Sequence, residues 1–212
     1  MFASARVSRE WRAAPGADEA ARAGAMSTVG IRTLVASLTL GALALGVLEI
    51  GIAAFAEREA SRADAGWLFA LWGVGSMAGG LWYGGRAWRT PADRRFLAVT
   101  GVLAVGLVPL PLAGSMPVFA LMVVVSGLAL APVAATGYSL IGELAPPESM
   151  TEAYAWQIVA FVAGSAVGAW LAGVVVDAVS VEAALACAPL AAGAGLLVAL
   201  AGRHSLAARQ RA

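Results

Sequence analysis

FLAVTGVLAVGLVPLPLAGSMPVFALMVVVSGLALAPVAATGYSLIG, residues 96–142, contains no charged side chain, and its reading decides the fold. A bilayer core of roughly 30 Å is crossed by about 20 apolar residues in a helix, so this run is long enough for two crossings. Pro109, Pro111, Gly114 and Pro117 cluster in its middle, and such breakers mark a tight reversal between helices. The run therefore predicts one span over 96–112 and a second over 116–141. Pro132 falls inside the second, where a kink is tolerated if neighbours satisfy the freed carbonyl.

Working outward, the same pattern recurs on both sides. Residues 31–56 and 65–83 read as two spans joined by a short polar loop, the second of them rich in Gly and Trp. Residues 153–176 and 183–202 read as two more, entered through a polar loop, 143–152, that holds Pro146 and Pro147. The chain is 212 residues long, 60% hydrophobic and 13% charged, with a mean hydropathy of +0.81, which is too apolar for an ordinary soluble domain. The predicted class is an all-α integral membrane protein of six transmembrane helices. Its domains are a polar leader over 1–30, the bundle over 31–202 and a polar tail over 203–212.

Charge limits the partners and sets an orientation. A net charge of +1 gives no broad basic surface, so nucleic acid is excluded as a partner and the lipid bilayer is the main one. All 14 basic residues are Arg. With the N-terminus inside, Arg6, Arg9, Arg12, Arg22, Arg32, Arg86, Arg89, Arg94, Arg95, Arg203, Arg209 and Arg211 fall in cytoplasmic segments, and only Arg58 and Arg62 fall outside. Short cytoplasmic loops retain Arg, so both termini are expected in the cytoplasm of a multi-pass cell-membrane protein.

Chemistry-bearing residues are few. The single Cys187 cannot form an internal disulfide, and neither a metal nor a cofactor is expected. Ser76, Ser126 and Ser165 have no base within the bundle, because the one histidine, His204, lies in the tail; no enzyme is expected. Polar groups inside a membrane are expensive and usually face a bundle interior or an aqueous cavity. Spans one, four and five carry most of them, including Glu49, Ser126, Thr136, Tyr138, Tyr154, Trp156 and Gln157, whereas span three has only Thr100 and span six essentially none. Spans three and six are accordingly expected at the lipid-facing periphery.

Glu49 is the sharpest of these candidates. A carboxyl in a low-dielectric site can take up and release a proton near neutral pH. The alternative is that Glu49 reaches interfacial water or pairs with Arg58 or Arg62. Tyr138 and Gln157 could contact a substrate or serve helix-to-helix bonding. Small residues at four-residue spacing, Gly75 with Gly79, Gly80 with Gly84, and Gly164 with Gly168 and Ala172, suit close helix packing.

Two stretches resemble a known family. Gly79-Gly80-Leu81-Trp82-Tyr83-Gly84-Gly85-Arg86, ahead of the basic loop to Arg95, is similar to the relaxed second copy of the Gly-rich, Arg-rich cytoplasmic loop of major facilitator superfamily carriers. In the stricter form an acid stands where this chain has Gly84. The run from Leu144 through Pro146, Pro147, Thr151, Glu152 and Trp156 to Gly173 and Asp177 resembles bacterial drug-efflux-type members, as does Gly46-Val47-Leu48-Glu49. The resemblance implies the C-terminal six-helix half of a carrier, equivalent to its helices seven to twelve, with the leader matching the linker between halves. It implies efflux of a small molecule coupled to protons, with Gly80, Gly84, Gly85 and Arg86 in the cytoplasmic loop. It also implies a second six-helix half as partner, whether a copy of itself or a separate chain. A half-carrier that transports nothing, or a membrane scaffold, is the alternative.

Overall fold

The computed structural model describes residues 24–207, apart from 60 and 62. Eight α-helices occur among the described residues: α1 (Val29–Glu59), α2 (Asp64–Gly84), α3 (Ala92–Leu107), α4 (Met116–Gly127), α5 (Leu130–Leu144), α6 (Met150–Ala178), α7 (Val181–Ala201) and the short α8 (Arg203–Leu206). Short 3-10 turns lie at Ala25–Ser27, Leu110–Leu112 and Pro147–Ser149. The expected reversal at Pro109–Pro117 is the turn between α3 and α4. The leader expectations on residues 1–23 and the tail beyond Ala207 lie outside the described residues.

Five stretches are long and apolar enough to cross a membrane: Val29–Glu59, Ala92–Leu112, Met116–Leu144, Pro147–Ala178 and Val181–Ala201. They correspond to five of the six expected spans. The sixth, α2, is a helix of 21 residues, about 30 Å long, and is not among these five. The expected polar loop over 143–152 is shorter than the sequence suggests. Helix α5 runs to Leu144, and α6 begins at Met150, so Glu152 lies in a first helical turn, where a carboxylate is favoured.

Span four is where the proline acts. Pro132 has no N–H to give to the carbonyl of Leu128, four residues back, and its ring crowds that carbonyl. The helix opens there, with Leu128 and Ala129 as the turn that separates α4 from α5. The regular ladder is interrupted there, while the backbone stays helical at both residues and Met116–Leu144 remains one span.

Helix α1 is central, packing along α6 and α7 and touching α2 and α5. In a membrane, burial of apolar surface does not drive such contacts, so the backbones must approach closely. A Cβ on Gly164 or Gly168 of α6 would overlap the Thr39 or Leu43 carbonyl of α1, and one on Gly46 would overlap the Ser165 carbonyl in return. Helices α2 and α4 meet the same way, with Gly75 against the Val124 carbonyl and Gly79 against that of Leu128. Gly164 and Gly168 thus sit where the backbones of α1 and α6 come close. Gly84 differs, since nothing lies within 4 Å of a Cβ built there.

Buried side chains form two clusters, one toward each end of the bundle. One holds Phe55, Leu68, Leu107, Phe119 and Leu185; in it Phe55 of α1 stacks on Phe119 of α4 with ring centroids 3.9 Å apart. The other holds Ala25, Ile31, Phe96, Leu140, Ala153 and Leu206. This second cluster gathers the start of α1, the α2–α3 and α5–α6 connections and the end of α7 at one end, together with Arg32, Arg86, Arg89, Arg94, Arg95 and Arg203. Arg58 lies at the other end, paired with Glu182 at the start of α7 and with Glu59 at 3.2 Å. At the Arg-rich end, the Ala25 N–H donates to Glu152 Oε2 at 2.9 Å, and Trp156 Nε1 donates to Glu152 Oε1 at 3.2 Å.

Candidate functional site

A cavity of about 240 Å³ opens among α1, α3, α5, α6 and α7. Its α1 wall is Ser37, Leu38, Gly41, Ala42 and Leu45, residues that share one helical face. Phe96, Thr100 and Leu103 of α3 and Ala192 of α7 close its back. Leu130, Val133, Ala134 and Tyr138 of α5 and Gln157, Ile158 and Phe161 of α6 complete the lining. Tyr138, Ile158 and Phe161 are each about half exposed, at 49%, 59% and 51%, so the cavity opens past α5 and α6.

Most hydroxyls in the bundle are already spent on their own helix. Thr39 donates to the Val35 carbonyl, Thr136 to Pro132, Ser139 to Ala135 and Ser126 to Val123, all at 2.8–2.9 Å. This back-bonding is the ordinary fate of Ser and Thr inside a helix. Ser37, in the cavity wall, donates instead to the Gly195 carbonyl of α7 at 2.9 Å.

Two lining groups break the pattern. Thr100 Oγ1 and Gln157 Oε1 are buried and have no hydrogen-bond partner, although the residues are only 3% and 7% exposed. A buried polar atom without a partner costs about 1–3 kcal/mol, so each calls for water or a ligand in the cavity they line. Gln157 is held by α6 beside Gly137 of α5. Tyr138 sits at the rim beside Tyr154, ring centroids 5.9 Å apart, and the Tyr154 hydroxyl donates to the Tyr138 carbonyl at 3.4 Å.

Of the expected site residues, the structure brings Tyr138 and Gln157 together and leaves Glu49 apart. Glu49 is exposed and does not line the cavity. It lies on the same α1 face one turn beyond Leu45, about 6 Å further along the axis. Arg58 is engaged by Glu182 and Glu59 rather than by Glu49. Helix α3, expected at the lipid-facing periphery, has both an outer and an inner face. Val102 and Val105 of α3 are exposed, at 59% and 71%, but Phe96, Thr100 and Leu103 face inward. Likewise Leu190 and Leu197 of α7 face outward while Ala192 reaches the cavity.

The Gly and Arg loop forms a separate cluster. Gly80 meets Ala131 of α5, while Gly84 and Gly85 are exposed. Arg86 stands over the rings of Trp82 and Trp88 at 5.1 and 5.7 Å. Trp88 stacks on Tyr83, with centroids 4.9 Å apart, and donates Nε1 to the Tyr83 carbonyl at 2.8 Å; Arg95 donates Nη1 to Tyr83 Oη at 2.8 Å.

Helices long and apolar enough to cross a membrane five times, packed through glycine contacts around a mostly apolar cavity, define a multi-pass membrane protein. The sequence matches the family model of the Major Facilitator Superfamily over residues 23–211, and the chain belongs to that family of membrane transporters. No curated protein shows a match to the chain.

Proposed function

We propose that the chain is a six-helix half of a secondary transporter, its cavity forming one wall of the path of a small amphipathic molecule exported in exchange for protons. The observation that carries this reading is that Thr100 and Gln157, whose Oγ1 and Oε1 are buried without a partner, are both among the residues lining a mostly apolar cavity. Such a lining suits a ligand with an apolar body and one or two hydrogen-bonding groups. The half-exposed side at Tyr138, Ile158 and Phe161 is where a second six-helix half, a copy or a separate chain, would close the path. Glu49, exposed on the cavity face of α1, is the group assigned to proton coupling, since it would enter the closed path when that half docks.

Support for the orientation comes from the gathering of Arg32, Arg86, Arg89, Arg94, Arg95 and Arg203 at one end of the bundle, which becomes the cytoplasmic end of a cell-membrane protein. Gly80, Gly84, Gly85 and Arg86 are then cytoplasmic. The test is flux of fluorescent amphipaths in vesicles carrying the chain under an imposed proton gradient. The expected result is gradient-dependent flux, with apparent affinity weakened about threefold to tenfold by Gln157→Leu. Flux indifferent to both the gradient and that substitution would overturn the reading.

A further inference from the structure

The molecule has a second concavity that the transport path does not use. It is a groove of about 460 Å³ between α2, α3 and the α4–α5 break, lined by Ala78, Trp82, Val99, Val102, Leu128 and Pro132. No lining residue is charged. Trp82 and Val102 are exposed, at 60% and 59%, so the groove faces the surroundings of the bundle.

Two cations bracket one end of this groove. Arg86, two residues past the end of α2, carries its guanidinium 5.1 Å from the ring of Trp82, which lines the groove. On α3 the series Val102, Val99 continues backward to Arg95, one turn nearer the helix start and on the same face. Arg95 is fixed by its bond to Tyr83 Oη, while its Nε is buried without a hydrogen-bond partner. Among the described residues neither guanidinium pairs with a carboxylate. Arg86, exposed and resting on aromatic faces, keeps its N–H edges available for phosphate oxygens, while Arg95, with Nη1 on Tyr83 and Nε buried, adds positive charge beside it.

We propose that this groove holds an anionic phospholipid, its phosphate on Arg86 and Arg95 and one acyl chain along Trp82, Val99 and Val102. Charge complementarity selects the headgroup, and the uncharged lining that runs directly from those arginines selects an acyl chain over a free phosphate. Snorkelling geometry agrees, since the arginines sit at the Arg-rich end and the groove runs from them toward the bundle's middle. The opened turn at Leu128, produced by Pro132, forms part of the groove wall.

The experiment is competitive lipid retention by the purified full chain in mixed phosphatidylglycerol and phosphatidylcholine nanodiscs, read by native mass spectrometry. The wild type is expected to retain phosphatidylglycerol preferentially, and Arg86→Gln to lower that preference about fivefold. Ala78→Phe, which fills the groove and leaves both arginines, is expected to lower it as well. Arg203→Gln, which removes a charge at the same end but away from the groove, is the control and is expected to change nothing. The proposal is overturned if Arg86→Gln retains the preference, if Arg203→Gln lowers it equally, or if soluble glycerol phosphate displaces the lipid at equal concentration. Far-ultraviolet circular dichroism of each variant shows that the helices persist. Arg86, exposed and with no side-chain hydrogen bond among the described residues, is the substitution least able to disturb them.

Discussion

The carbonyl of Leu128, left without a donor by Pro132, lies against Gly79 of α2, so close that no Cβ fits between them. The break in span four and the glycine in span two are one device. Opening the helix frees the carbonyl, and the glycine lets α2 approach it. Gly79→Ala should therefore destabilise the bundle by about 1–3 kcal/mol in detergent unfolding, as overpacking against rigid backbone does. If it unfolds like the wild type, the close approach is not what joins α2 to α4.

The α1–α6 crossing predicts a sharper contrast. Gly168→Ala, facing the Leu43 carbonyl, should destabilise by a similar amount, whereas Gly173→Ala, with nothing within 4 Å, should stay within about 0.5 kcal/mol of wild type. Thermal melts in one detergent compare the two directly.

Thr100 separates a structural role from a ligand role. Its hydroxyl has no partner, so Thr100→Val should leave stability unchanged or raise it by about 1 kcal/mol. Binding of an amphipath that hydrogen-bonds in the cavity should weaken in the same variant. A loss of stability would show that the hydroxyl serves the fold.

Glu49→Gln tests coupling. Proton-driven flux should fall while gradient-independent exchange persists, because a glutamine keeps the shape and cannot carry the proton. Unchanged proton-driven flux places coupling elsewhere.

The ion pair of Arg58 with Glu182 is half exposed, with side chains 39% and 45% accessible. Glu182→Gln should cost between about 0 and 1 kcal/mol, and less at high salt.

Much of the fold was legible because its punctuation is local. Pro109, Pro111, Gly114 and Pro117 announce the α3–α4 reversal, and uncharged runs of spanning length announce the helices. The spacing of Gly164 and Gly168 puts them on one helix face, and that face meets the α1 backbone. The site was less legible. Thr100 is one polar residue in a helix apolar on every side, and such a helix has no polar face by which to orient it. Only the packing against α7 and α5 turns Thr100 inward. Glu49 stood out by composition, yet its exposure depends on how far α5 and α6 extend beside α1. The break at Leu128 follows from Pro132, but whether a proline bends or opens a helix depends on what receives the freed carbonyl, and Gly79 belongs to a different span.

The bond from the Ala25 N–H to Glu152 makes the chain just before α1 a handle on the wall of the cavity. Glu152 also holds Trp156, the neighbour of Gln157, so the three lie within little more than one turn of α6. The residues just before α1 are thus joined by one hydrogen bond to the first turn of α6, five residues ahead of Gln157.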